Sequence, residues 1–130
     1  MRNKVNVMES EGEGVLAPSA ATTQDRRSTV LIVDDEANMR HMLTALLTKN
    51  HYAVEQAADG TAALTLLGER DFDYILSDVR MPGMDGLELL DRIAETGSAA
   101  TVIMMSAYGT AELAIEAMKQ GAYDYISKPF

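Results

Sequence analysis

Between Thr29 and Ser127 the chain alternates short apolar runs with longer stretches in which apolar residues recur every three or four positions. The short runs are Thr29 to Val33, a weaker one from Tyr52 to Ala57, Phe72 to Ser77, Thr101 to Met105 and Ala122 to Ser127. Rich in β-branched and aliphatic residues and bounded by polar ones, they predict buried strands. After the first run, Met39, Met42, Leu43, Leu46 and Leu47 follow the helical spacing i, i+3, i+4, i+7, i+8. Asp59 is placed to cap a second helix with Ala63, Leu66 and Leu67 inward, and Asp85 with Glu88 to cap a third carrying Leu87, Leu90, Ile93 and Ala94. A fourth helix puts Ala111, Ala114, Ile115 and Met118 on one face, with Leu113 off that stripe and Gly121 as its stop.

Five strands alternating with four helices predict an α/β fold: a parallel sheet with helices on both faces and right-handed crossovers. The residues at the strand ends select the strand order. Asp34 and Asp35 follow the first strand, Asp78 the third, Ser106 the fourth and Lys128 the fifth, whereas the second ends in Ala57-Ala58. In the order 3-2-1-4-5 Asp78 would lie at a sheet edge, far from Asp34 and Asp35. In 2-1-3-4-5 strands one and three are neighbours at the switch point, and the strand without chemistry is the one at the edge.

Composition narrows the function. A length of 130 residues with 47% apolar content suits one domain. Asp and Glu outnumber Lys and Arg 20 to 11, a net charge of −9, which argues against direct nucleic-acid binding. The absence of cysteine excludes disulfides, thiolate metal sites and thiol catalysis. No apolar run approaches the ~20 residues of a membrane helix and no signal-peptide core is present, so a soluble, cytoplasmic chain is expected. Residues 1–28, rich in Glu, Gly, Ser, Ala and Thr, are expected to form a disordered leader, with Met8 an alternative start.

Each polar strand end has a plain structural reading of its own: Asp35 as a helix cap, Ser106 as loop chemistry beside Tyr108-Gly109, Lys128 as a solvated lysine. Their conjunction at four of five strand ends points elsewhere. Clustered carboxylates either raise each other's pKa or recruit a cation, and hard oxygen donors suit magnesium, with Asp35 and Asp78 the candidate ligands. A carboxylate can also attack phosphorus, and Asp78, which opens onto the Met81-Pro82-Gly83-Met84 loop, is the candidate nucleophile. Lys128 and Ser106 would then supply charge and a hydrogen bond to the transferring phosphoryl oxygens. Neither His41 nor His51 lies at a strand end, so neither is a candidate phosphodonor.

These residues resemble the receiver domain of two-component response regulators. The resemblance runs from about Thr29 to Phe130 through Val33-Asp34-Asp35-Glu36, Ser77-Asp78-Val79-Arg80-Met81-Pro82-Gly83-Met84-Asp85-Gly86, Met105-Ser106-Ala107 and Lys128-Pro129. The wording is most similar to receivers of AAA+ activators of alternative-sigma-factor transcription. The resemblance implies a flavodoxin-like, three-layer α/β/α fold and Mg2+-dependent phosphorylation of Asp78 by a sensor histidine kinase. It assigns Asp34 and Asp35 to the acidic pocket and the Arg80 backbone carbonyl to the metal. Ser106 and Tyr125 become switch residues that alter the face built on the fourth helix and fifth strand, signalling to an output module absent from this chain.

Similar receivers carry a fifth helix after Lys-Pro, so residues 29–130 are expected to form a receiver domain truncated before its last helix. The loss, on the scale of a domain's whole stability, predicts a marginal chain or one that associates through an uncovered sheet face. Two alternatives compete with the phosphorylated switch. One is a non-signalling module that binds a kinase or another receiver. The other is a phosphohydrolase, disfavoured because Asp34-Asp35-Glu36 lacks an Asp-x-Asp arrangement.

Overall fold

The computed structural model describes residues 27–107 and 111–128. Five parallel strands, β1 (Thr29–Val33), β2 (Ala53–Ala57), β3 (Tyr74–Asp78), β4 (Thr101–Ser106) and β5 (Asp124–Ser127), alternate with four helices, α1 (Ala37–Lys49), α2 (Gly60–Glu69), α3 (Gly86–Glu95) and α4 (Ala111–Lys119). The sheet order is β2-β1-β3-β4-β5, the one selected by the polar strand ends. Val33 pairs with Ser77, Asp78 with Met105, and Ser106 with Ser127, so the C-terminal ends of β1, β3, β4 and β5 lie level along one edge. The expected leader lies outside the described residues except for Arg27 and Ser28, as do Tyr108, Gly109, Pro129 and Phe130.

The two faces of the sheet are covered unequally. Leu31, Val33, Ile75 and Met104 face a core closed by α2, α3 and α4 through Ala63, Leu89, Leu90, Ile93 and Ala117. On the other face Val30, Ile32 and Met105 pack with Leu43, and among the described residues α1 is the only helix in that cluster. Leu76, Ile103 and Ile126 remain half-buried there, and Met42 and Leu46 on the flank of α1 are 48% and 53% exposed. The predicted five-residue stripe of α1 is therefore buried only at its centre: Leu43 is enclosed, and Met39 and Leu47 pack beside it.

Two other stripes are rotated from the sequence reading. In α4 the inward residues are Ala117, fully buried, and Leu113, which packs against the core, whereas Ile115 and Met118 are 55% and 46% exposed. Small Ala117 lets the helix come close to the sheet, and apolar spacing alone does not distinguish that face from the larger side chains one step round the helix. The side chain of Ala111 lies outside the described residues. In α3, Leu89 is buried where Ala94 was expected.

The helix ends follow local chemistry. Asp59 accepts from the Ala62 N–H at 2.8 Å and Asp85 from the Glu88 N–H at 2.9 Å, as their cap positions require. The Glu88 carboxylate meets Arg92 at 3.5 Å one turn on. Both α1 and α4 end in the same paired arrangement: Tyr52 N–H to Leu47 O and His51 N–H to Thr48 O in one, Ala122 N–H to Ala117 O and Gly121 N–H to Met118 O in the other. That geometry needs a positive φ at its turning residue, which is Gly121 (φ 109°) in α4 and His51 (φ 71°) in α1. No helix among the described residues is long and apolar enough to cross a membrane.

Candidate functional site

β1 runs out at Val33, and every polar atom of the next residue, Asp34, is held. Its N–H donates to Ala57 O at 3.2 Å, and its carbonyl accepts from Arg40 Nη1 at 2.6 Å. Its Oδ1 accepts from the Glu36 N–H at 2.9 Å and its Oδ2 from Lys128 Nζ at 2.8 Å. Asp35 is exposed, and its carboxylate makes no hydrogen bond or ion pair to another described residue. It is not the helix cap: Glu36 holds that position and makes no side-chain capping bond.

Asp78 closes β3, and the chain around it is tightly fixed. The Val79 N–H donates to Met105 O at 2.9 Å, carrying the ladder one step past the strand, and the Gly86 N–H returns to Val79 O at 2.8 Å. A methyl at Gly86 would stand 2.2 Å from Asp78 O and 2.8 Å from Val79 Cα, so only glycine lets α3 start this close to the phosphoacceptor candidate. On the other side, the Lys128 N–H donates to Ser106 O at 3.0 Å and extends the β4–β5 ladder to the lysine. Its ammonium then reaches 2.8 Å from Asp34, 3.4 Å from Asp78 and 4.0 Å from Glu36. The Lys128, Asp34 and Asp78 side chains are only 6%, 0% and 9% exposed.

Burial pushes the Asp78 carboxyl up, the Lys128 ammonium pulls it down, the Asp34 charge pushes it up and the Arg80 N–H that hydrogen-bonds it pulls it down; burial prevails, and it sits above the ordinary carboxylate value. For Lys128 the balance goes the other way. Burial alone would lower its pKa, but the hydrogen bond to Asp34 and the charges of Asp78 and Asp34 hold it above the usual lysine value.

Carboxylate oxygens of Asp34, Asp35 and Asp78 lie within 4.8 Å of one another. Three such charges against one ammonium leave the cluster short of positive charge. The donors are hard oxygens, and the chemistry fits a divalent cation such as Mg2+.

Asp34, Asp35, Asp78 and Lys128 are therefore brought together as the strand ends predicted. Asp78 and Ser106 turn out to be the last residues of their strands rather than the first after them. Ser106 is fully buried on the sheet face that also carries Tyr125, two positions away in register, because Tyr125 pairs with Met104. Tyr125 packs against the larger core with its hydroxyl buried and unpartnered among the described residues. Arg80 is exposed beside the site. Leu113, off the predicted stripe, lines a groove of about 590 Å³ with Val79, Arg80, Met81, Pro82, Gly83, Asp85 and Leu87. The sequence reading missed Arg40 and Glu36. The signal was there: Arg40 puts a cation in the first turns of α1, where the helix dipole disfavours one.

The response regulator receiver domain family matches residues 30–130. Among relatives, Regulatory protein AtoC of Escherichia coli K12 is 41% identical over 101 residues, covering 78% of this chain and 22% of that protein. Transcriptional regulatory protein FixJ of Bradyrhizobium diazoefficiens is 42% identical over 101 residues, 78% of this chain and 49% of that one. The chain thus spans half or less of these regulators. Among solved structures, Vibrio cholerae chemotaxis protein CheY4 superposes with a TM-score of 0.77 at 34% identity, covering 80% of this chain and 88% of that one. With the strand order, the acidic cluster and the facing lysine in place, the match over residues 30–130 makes this chain a member of the response regulator receiver domain family, the receiving half of two-component signalling.

Proposed function

We propose that this receiver works as a phosphorylated switch, with Asp78 accepting a phosphoryl group from the phosphohistidine of a sensor histidine kinase. The observation that carries the reading is the Lys128 ammonium, which stands against both Asp34 and Asp78 inside a cluster of three carboxylates. In the transfer, the phosphorus–nitrogen bond of the donor breaks and its electron pair stays on the imidazole, which takes up a proton. An Asp78 carboxylate oxygen forms the new phosphorus–oxygen bond, giving an acyl phosphate. Asp35, Asp78 and the Arg80 backbone carbonyl would hold Mg2+, which when bound neutralises charge on the phosphoryl oxygens. Lys128 supplies a second positive charge to the same oxygens, and Ser106 supplies a hydroxyl. The product is a state of the protein rather than a released metabolite.

Tyr125 and Ser106 are the proposed readout. A buried hydroxyl without a partner costs about 1–3 kcal/mol, so Tyr125 occupies a position from which a rearrangement around Ser106 can draw it. The surface so altered is built on α4 and β5. We assign its consequence to an output module, transcriptional in kind, because the relatives FixJ and AtoC are named as regulatory proteins.

The test is incubation with acetyl phosphate and Mg2+ followed by intact mass. A single acid-stable, base-labile phosphoryl group that disappears in Asp78→Asn is the expected result. Folded wild-type protein that takes up no phosphoryl group, or steady turnover of varied phosphate esters, would overturn it.

A further inference from the structure

Asp35 is the one member of the acidic cluster whose carboxylate has no hydrogen bond or ion pair to another described residue. Asp34 and Asp78 are held by Lys128; Asp35 can be aimed only through its backbone. The peptide that precedes it carries the Asp34 carbonyl, and that carbonyl is gripped by Arg40 Nη1 at 2.6 Å. Arg40 is itself fixed from the far side, where its Nε donates to Gln56 Oε1 on β2 at 3.3 Å. Gln56 precedes Ala57, whose carbonyl accepts the Asp34 N–H at 3.2 Å. The edge strand thus holds Asp34 twice, once directly and once through the guanidinium.

A half-buried arginine could be there only to satisfy itself, but its position in α1 argues for more. The Arg40 N–H makes one of the first helical bonds, to Glu36 O, so its charge sits near the positive end of the helix dipole. What compensates is the carbonyl and the negative charge of Asp34, Asp35 and Glu36 beside it. The planar, multi-donor guanidinium suits this bridging task in a way an ammonium does not.

We infer that Arg40 is a positioning residue: by clamping the Asp34–Asp35 peptide against Gln56, it aims the Asp35 carboxylate into the divalent-cation site. The inference deepens the Mg2+ reading above and rests on it for the role of Asp35. It also makes a sign that separates it from simple electrostatics. Removing a cation beside an acidic pocket should tighten divalent binding, whereas loosening a ligand should weaken it by about 10-fold or more, the scale seen when groups behind a metal ligand are removed.

Arg40→Met keeps the apolar stem and removes the clamp. Calorimetric titration with Mg2+ alone should show Kd weakened at least about 10-fold, with Gln56→Leu in between. In metal-free protein, 15N relaxation of the Asp35 amide, which belongs to the clamped peptide, should fall from a rigid order parameter near ~0.85 towards ~0.6 in Arg40→Met, with β3 and β4 amides unchanged. A folded Arg40→Met protein with unchanged or tighter Mg2+ binding, or with an unchanged Asp35 amide, overturns the inference. Wild-type protein that binds no Mg2+ would sink the cation-site reading instead, and the Asp35 amide would still decide whether Arg40 is the clamp.

Discussion

The Lys128 ammonium lies closer to Asp34 than to Asp78, 2.8 Å against 3.4 Å, although Asp78 is the proposed phosphoacceptor. The lysine therefore has a resting partner that is not the proposed nucleophile. This predicts opposite effects for two matched substitutions. Asp34→Asn removes the charge that Lys128 bonds and should cost about 2 kcal/mol of stability. Asp78→Asn removes a buried, repelled carboxylate and should stabilise the fold by about 1 kcal/mol. Lys128→Met leaves two buried carboxylates without their cation and should cost about 3 kcal/mol in EDTA, less in Mg2+. Urea unfolding of the four proteins measures all of this; an Asp78→Asn protein less stable than wild type would contradict the electrostatic account.

The pH dependence follows from the same pair. Asp78 is raised, so the folded protein keeps this proton at pH values where the unfolded chain has lost it, and stability falls as pH rises from the ordinary carboxylate value through the raised one. The advantage of Asp78→Asn over wild type should be full above the raised value and close as pH drops below about 4. Lys128 is also raised, so the slope has the same sign in a higher window, but here the charged form is the one the fold favours. Its contribution is complete below the ordinary lysine value and is lost as pH climbs through the raised one. The deficit of Lys128→Met should hold steady across neutral pH and close only above about 10.4. Urea midpoints in EDTA across the pH range read both windows.

Gly86 yields a prediction that separates the site from the core. A Cβ there meets the Asp78 carbonyl and the Val79 backbone, and backbone cannot swing aside as a side-chain tip can. Gly86→Ala should lose at least about 3 kcal/mol and displace the Asp78 peptide. Acetyl phosphate labelling should fall even at temperatures where the variant is fully folded. Gly68, in α2 and with open space around its Cβ position, is the control: Gly68→Ala should gain about 1 kcal/mol and label normally.

The strand order and the acidic cluster were legible because both rest on local, short-range signals. Asp34, Asp35, Asp78 and Lys128 follow or end apolar runs, and a parallel sheet gathers such ends on one edge whatever the packing is. The stripe of α4 was not legible. Choosing between Ala117 and the larger Ile115 and Met118 depends on how closely the helix approaches the sheet, which is a tertiary quantity. The flank of α1 failed for a related reason: Met42 and Leu46 belong to an apolar stripe by spacing, but no other helix among the described residues covers that side. Arg40 left only an indirect mark, a cation where the α1 dipole disfavours one, because its acceptor is a backbone carbonyl that no residue type announces.

His51 gives the remaining test, far from the chemistry. α1 and α4 end in the same hydrogen-bond pattern, and α4 meets its positive φ with Gly121 while α1 asks it of a histidine at φ 71°. A side chain in the left-handed region crowds its own carbonyl, a strain of about 1 kcal/mol that glycine does not have. The His51 side chain is exposed, so nothing is lost by removing it. Part of the relief is returned because glycine makes the unfolded chain more flexible. His51→Gly should therefore raise stability by about 0.5 kcal/mol, and His51→Asn, which tolerates this conformation, by somewhat less. His51→Val, β-branched and intolerant of positive φ, should lose about 1 kcal/mol or more. The rank order Gly, Asn, His, Val in urea midpoint, with acetyl phosphate labelling of Asp78 equal in all four, is the expected result. Equal stability of the glycine and valine proteins would mean that the turn relaxes out of the left-handed region in solution.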